Sequence, residues 1–197
     1  MSLILASRST ARQRLLRAAG VPFVVEVAEI DEAAVKQALQ AEGASPEDAA
    51  TLLAELKGQR ASRRHPGRMV IAADQLLVLG ERWFDKPRDL AEAAGQLEAL
   101  SGQTHRLVTC VMALRDGARL WHHLESPRLT MRRLAPAEIG GYLDSAGPAV
   151  LGSVGAYHLE GLGVRLMARV EGDHFAIQGL PLLPLLDFLR NHGLAGP

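Results

Sequence analysis

Five apolar residues in a row, Met69-Val70-Ile71-Ala72-Ala73, run into an aspartate, Asp74. A run of that kind predicts a short strand buried in a sheet. A carboxylate at the end of a buried strand must be desolvated or paired. Leu76 to Leu79 resumes the apolar pattern and Gly80 follows, which predicts a hairpin. Strand ends in α/β sheets are where ligand-handling groups often sit. Asp74 therefore reads as functional ahead of the plainer alternative, a hydrogen-bonded turn residue.

The segments around this run alternate in period. Leu3 to Ala6 predicts a buried strand, and Ser9 is placed to cap a helix that carries Leu15, Leu16 and Ala19 on one face and ends at Gly20. Phe23 to Val27 predicts a second strand, and helices are expected over 31–41 and 46–63. From Asp89 to Leu100 an apolar stripe of Leu90, Ala93, Ala94, Leu97 and Leu100 predicts an amphipathic helix. Beyond Gln103 the period shortens. Two long strands are expected over 104–114 and 119–133 around Arg115-Asp116-Gly117, then a helix over 135–145. A glycine-rich stretch, Gly147 to Gly163, precedes two short strands with a turn at Gly172-Asp173, and Pro181 opens a last helix that runs to Gly193. This mixture predicts an α/β fold with a mixed sheet rather than a purely parallel doubly wound one. With no repeat or linker in view, residues 1–197 read as one domain.

Composition narrows the partners. Lys plus Arg equals Asp plus Glu at 22 each, so the chain lacks the positive excess that a nonspecific nucleic-acid or membrane binder relies on. The apolar segment 3–6 is too short for a signal core or a membrane span, and Arg8 and Arg12 follow at once. Cys110 is the single cysteine, which fits a reducing, cytoplasmic setting, and its place in an apolar run suggests core packing.

Other candidates are ambiguous taken singly. Ser7-Arg8-Ser9-Thr10-Ala11-Arg12 offers a helix start and an arginine, which suit phosphate. It also reads as an ordinary capped helix. Asp31-Glu32 is a carboxylate pair able to hold a hard cation, or simply a favourable helix start. Lys57 falls on a helix face among alanines and leucines, where a snorkelling side chain is the simpler reading. Lys86, in Phe84-Asp85-Lys86-Pro87, is by itself a surface charge. Gly155 to Gly163 could bring backbone close to a ligand, or form a glycine-rich hairpin or bulge; it lacks the spacing of a dinucleotide fingerprint. The seven histidines form no metal set: His122 and His123 would face opposite ways on a strand, and His158 with Glu160 makes only two ligands.

Order along the chain is more specific than any one signal. Leu5 to Arg12, Asp31-Glu32, Lys57, Ala73-Asp74-Gln75, Lys86-Pro87, Leu100 to His105, Tyr157 to Gly161 and Gly179 to Leu182 occur in the succession found in Maf proteins. The chain resembles the Maf family of nucleoside triphosphate pyrophosphatases over nearly its whole length. The resemblance implies a fold like that of the inosine triphosphate pyrophosphatases, an elongated two-lobed α/β body with a central cleft, often a homodimer. It implies hydrolysis between the α and β phosphates with a divalent cation, Mg²⁺ or Mn²⁺. Asp74 matches the family's catalytic aspartate. Ser7, Arg12, Lys57 and Lys86 match substrate-binding positions, and Glu32 with Asp74 would ligate the metal. Ala11, Gln75 and Glu160 match positions associated with base choice.

Gln75 and Glu160 are similar to the 7-methyl-GTP branch, which carries Trp, Gln and Glu at the three positions. The branch acting on thymidine and uridine triphosphates carries Arg, Thr and Gln. The sequence departs from the pattern at Thr10, where a proline is usual, and at Ala11, which cannot stack on a methylated purine as a tryptophan would. Ser153 stands where one branch has an aspartate. The expected function is therefore a house-cleaning pyrophosphatase acting on 7-methyl-GTP or another modified nucleotide. The alternatives are dTTP/UTP hydrolysis and a nucleotide-binding regulator of septum formation without strong catalysis. An unperturbed aspartate has a pKa of about 3.9 and is a weak base, so metal activation of water belongs to the expected scheme.

Overall fold

A computed structural model describes residues 3–27 and 29–196. Among these residues the chain forms eight strands and seven α-helices. In order they are β1 (Leu3–Leu5), α1 (Thr10–Ala18), β2 (Phe23–Val25), α2 (Glu32–Ala41), α3 (Pro46–Arg64), β3 (Val70–Leu79), β4 (Arg82–Phe84) and α4 (Leu90–Leu100). Then come β5 (Thr104–Arg115), β6 (Ala118–Glu125), β7 (Arg128–Met131), α5 (Pro136–Ala146), β8 (Met167–Glu171), α6 (His174–Ile177) and α7 (Leu182–Asn191). The sheet order is β2-β1-β3-β5-β7-β8, with β4 beside β3 and β6 beside β5. β1 runs parallel to β2 and β3, and the pairings of β3 with β4, β5 with β6 and β7, and β7 with β8 are antiparallel. The α/β class with a mixed sheet is therefore what the chain adopts.

The chain falls into two compact units and crosses between them four times. The first comprises Met1–Gln75, Thr109–Glu125 and Asp173–Pro197, and the second Leu76–Val108 and Ser126–Gly172. In the first unit Leu5, Leu16, Ile71, Val111, Leu185 and Leu189 belong to one buried cluster. Small residues let α3 settle against this unit's strands: Ala50, Ala54, Gly58 and Ala61 are all buried. A side chain at Gly58 would run into Leu114 and Ala72. That close approach matters because the residue before Gly58 is Lys57.

Local chemistry explains where the helices begin. Ser9, Asp31, Ser45 and Asp89 each accept a hydrogen bond from a backbone N–H of the first turn that follows, which satisfies a donor the helix itself cannot. Pro46 and Pro136 occupy first-turn positions, where no donor is lost.

Four expectations need correction. Asp74 does not end a strand, because β3 continues through it to Leu79. Backbone pairing is indifferent to a charged side chain that finds a counter-charge, and Asp74 has one. The strand expected over 119–133 is two strands, broken at Ser126-Pro127. Proline has no N–H for a ladder; β6 pairs the far end of β5 and β7 its near end. The second short strand expected after Gly172 is instead the helical turn α6, with Asp173 accepting from the Ala176 N–H at 2.6 Å. Finally, the glycine-rich stretch forms no hairpin but three 3-10 segments, Gly147–Gly152, Val154–Ala156 and Leu162–Leu166.

Candidate active site

Asp74 sits midway along β3 and is only 4% exposed. Its Oδ1 accepts a hydrogen bond from the Lys57 ammonium, which reaches it from α3. The same ammonium lies 2.9 Å from Oε1 of Glu32 at the start of α2. Lys57 is itself buried, so it is no snorkelling side chain. One cation therefore joins two carboxylates from three separate elements. Asp31, the other acidic residue of the pair, is spent on capping α2, where it accepts from the Ala34 N–H at 3.0 Å.

The second oxygen of Asp74 stands apart. Oδ2 is buried and no hydrogen-bond donor of the described residues reaches it. Buried polar atoms are nearly always satisfied, so an orphaned carboxylate oxygen beside a lysine is a place prepared for something else, a water or a cation.

Arg12, on the first turn of α1, is buried next to this cluster. Its Nε donates to the Gly179 carbonyl at 2.7 Å. Its Nη1 donates to Ser7 Oγ at 3.1 Å and to the Ala73 carbonyl at 2.8 Å. Burial lowers its pKa from the ordinary arginine value, and the charges of Asp74 and Glu32 oppose that shift. Ser7 Oγ also accepts from the Ser9 N–H at 3.2 Å. With both lone pairs engaged, the hydroxyl of Ser7 keeps only its proton to offer, and so it acts toward a ligand as a donor.

Gln75 follows Asp74 and is held from another side. Its Nε2 donates to Thr109 Oγ1 at 2.8 Å, to the Ala176 carbonyl at 2.9 Å and to the Ile177 carbonyl at 3.2 Å. Three oxygens around one nitrogen fix the amide orientation, because the flipped form would set oxygen against two carbonyls. Thr109 is fully buried and its hydroxyl donates in turn to Ala176 at 3.2 Å.

Ser7, Ala11, Arg12, Glu32, Lys57, Asp74 and Gln75 all belong to the first unit, and all but Ala11 take part in the contacts just described. Ala11 lies half-buried on α1. Lys86 and Glu160 belong to the second unit and are exposed, Lys86 just after β4 and Glu160 between the 3-10 segments. The loop that carries Lys86 is anchored by Gln96, whose Nε2 donates to the Asp85 carbonyl at 2.9 Å. Thr109 and Gly179 were given no role on sequence grounds. A threonine inside the apolar run from Leu107 to Leu114 was the available signal, since a hydroxyl there must find a partner. Cys110, beside it, has its thiol pushed up to about 11 by burial, which fits core packing and not a nucleophile.

The donor set suits a hard divalent cation in part. Glu32 and Asp74 offer carboxylate oxygens near a shared point, one of them orphaned. Among the described residues no three His, Cys, Asp or Glu side chains gather to hold an ion. A cation here would complete its shell with phosphate oxygens and water, as Mg²⁺ commonly does.

A family model described as Maf-like protein matches residues 2–192. The chain belongs to the Maf-like family. This Maf-like chain is 56% identical over 190 residues to the nucleoside triphosphate pyrophosphatase of Paramagnetospirillum magneticum, which covers 96% of this chain and 98% of the relative. It is 49% identical over 191 residues to the 7-methyl-GTP pyrophosphatase of Rhizobium etli, covering 97% and 96% of the two chains. Among solved structures, a nucleoside-triphosphatase / dITP/XTP pyrophosphatase of Mycobacterium abscessus aligns over 98% of this chain and 96% of its own, at TM-score 0.46 and 18% identity. No helix of the described residues in this Maf-like protein is long and apolar enough to cross a membrane.

Proposed function

We propose that this chain hydrolyses nucleoside triphosphates between the α and β phosphates, with Asp74 as the base. The observation that carries the reading is the asymmetry of the Asp74 carboxylate. Oδ1 is neutralised by Lys57, while Oδ2 is buried and has no donor among the described residues. Lys57 holds the carboxylate in one orientation and leaves Oδ2 to take a proton. In the reaction a water oxygen bonds to the α phosphorus, the bond from that phosphorus to the bridging oxygen breaks, and the bridging oxygen leaves with pyrophosphate. The water proton passes to Asp74 Oδ2. Ser7 donates its hydroxyl proton, and Arg12 its remaining Nη2 hydrogens, to phosphate oxygens.

Charge balance favours a divalent cation. Arg12 and Lys57 carry two positive charges, and Glu32 and Asp74 two negative ones. This group has nothing left to neutralise a triphosphate. A cation held by Glu32 and Asp74 would supply that charge and make water easier to deprotonate.

The substrate reading is 7-methyl-GTP or another guanine-type nucleotide. Gln75 has its NH₂ committed, so its oxygen is what remains for a ligand. Glu160 is likewise an acceptor only. An acceptor such as the Gln75 oxygen suits a base edge rich in N–H donors, as guanine has, better than uracil or thymine, whose single N–H is flanked by carbonyls. The name of the Rhizobium etli relative agrees with this.

A panel of 7-methyl-GTP, GTP, dTTP, UTP and CTP, each with and without Mg²⁺, tests the proposal. Pyrophosphate and nucleoside monophosphate should appear in equal amounts, fastest from 7-methyl-GTP and only with the metal. Orthophosphate as the product, or no turnover on any triphosphate, ends it.

A further inference from the structure

Asp74 is held from both sides by one turn of the chain. The residue before it, Ala73, has its carbonyl bound by Arg12, and Arg12 is fixed by the Gly179 carbonyl. The residue after it, Gln75, has its amide bound by the carbonyls of Ala176 and Ile177. All three anchoring carbonyls lie within residues 176–179, and the turn is closed by the Gly179 N–H donating to Ala176 at 2.9 Å.

Arg12 has five N–H groups in a rigid fork. Three are taken, one on Nε and two on Nη1. A bidentate grip on phosphate uses parallel N–H groups on neighbouring nitrogens, and both neighbouring sets now include a committed nitrogen. Only Nη2 remains, at one corner. The guanidinium is thus spent mainly on protein. Gly179 makes this possible in two ways. Its φ of +93° is one that side-chain-bearing residues rarely adopt. A Cβ there would lie 3.3 Å from Arg12 Nε, 3.5 Å from Nη2 and 3.7 Å from Gln75 Oε1, inside the space between the two anchors.

We infer that Arg12 and Gly179 are positioning residues: the turn at 176–179 sets the register of the Asp74 carboxylate through Arg12, and phosphate binding is the lesser part of what Arg12 does. This rests on the reading of Asp74 as the base.

The test compares Arg12→Lys, Gly179→Ala and the double variant, each checked by thermal melting and assayed for kcat and KM on the best triphosphate. Lysine keeps the charge but cannot span three fixed acceptors. A displaced base costs rate at the chemical step, so kcat should fall about 100-fold in Arg12→Lys, with KM within threefold of wild type. Gly179→Ala should lower kcat in the same direction. Because it acts through Arg12, the double variant should be no worse than Arg12→Lys. If Gly179→Ala melts early, the split between kcat and KM in Arg12→Lys decides by itself. A KM increase with kcat retained in Arg12→Lys overturns the inference, as does a double variant whose losses multiply. Wild-type protein that turns over no triphosphate removes the proposed function and this inference together. A working wild type with multiplying losses removes this inference alone.

Discussion

Lys57 donates to Asp74 across the gap between a helix and a strand, and both side chains are buried. Neither charge would be tolerable there alone. Removing one member of a buried pair leaves the other uncompensated and typically costs about 3–5 kcal/mol. Glu32, the third member, is much more exposed, with 46% of its side chain open to solvent. It therefore adds less to stability than Asp74 does.

Lys57→Met should accordingly destabilise the chain by about 3 kcal/mol, read as a lower urea midpoint. The double variant Lys57→Met, Asp74→Asn should recover a good part of that loss, because the stranded charge is gone. A double variant less stable than Lys57→Met would contradict the pairing.

Asp74→Asn keeps the shape and removes the base. Turnover is expected to drop by about 10²–10⁴-fold. Titration calorimetry should show that nucleotide still binds. Wild-type turnover in this variant would mean that position 74 does not take the proton.

Base choice is tested at position 160. Glu160→Gln adds a donor to a side chain that only accepts. The ratio of guanine to pyrimidine turnover should shift toward dTTP and UTP. An unchanged ratio would leave Glu160 outside the base site.

His105 gives a pH prediction for the second unit. It is fully buried, its Nε2 is 2.7 Å from the Tyr157 hydroxyl, and its Nδ1 has no partner among the described residues. Burial lowers its pKa from 6.5 to about 4. The folded state therefore binds fewer protons than the unfolded state between these values. The stabilisation is complete above about pH 6.5 and is lost as pH falls toward 4, by about 3 kcal/mol at most. His105→Gln should show a flatter fall in melting temperature across that window than wild type. Parallel curves would assign the acid sensitivity to other groups.

Much of the local structure was legible. Ser9, Asp89 and Pro181 mark helix starts from a few adjacent residues, and the helices do begin there. The break at Pro127 is not legible in the sequence, because the alternating pattern continues on both sides of it, and only the switch of β5 partners shows two strands. From the sequence Asp74 reads as a strand end, because its charge has no visible partner until folding brings up Lys57. Lys57 in turn reads as a snorkelling lysine, since nothing in its neighbours reveals that Gly58 lets the helix sit so close to Ala72 and Leu114.

The amino-acid order alone supplied the inventory: the acids and bases available, the helices and most strands, and a succession of blocks similar to one family. Those features depend on residues close together in the chain, or on their order along it. Which cation neutralises which carboxylate, which oxygen of Asp74 is left over, and that Gly179 reaches back to Arg12 were decided by the tertiary structure. Hydrogen bonds and ion pairs act over a few ångströms, and the partners here are 17, 25 and 167 residues apart in sequence. Only folding brings such distances within reach.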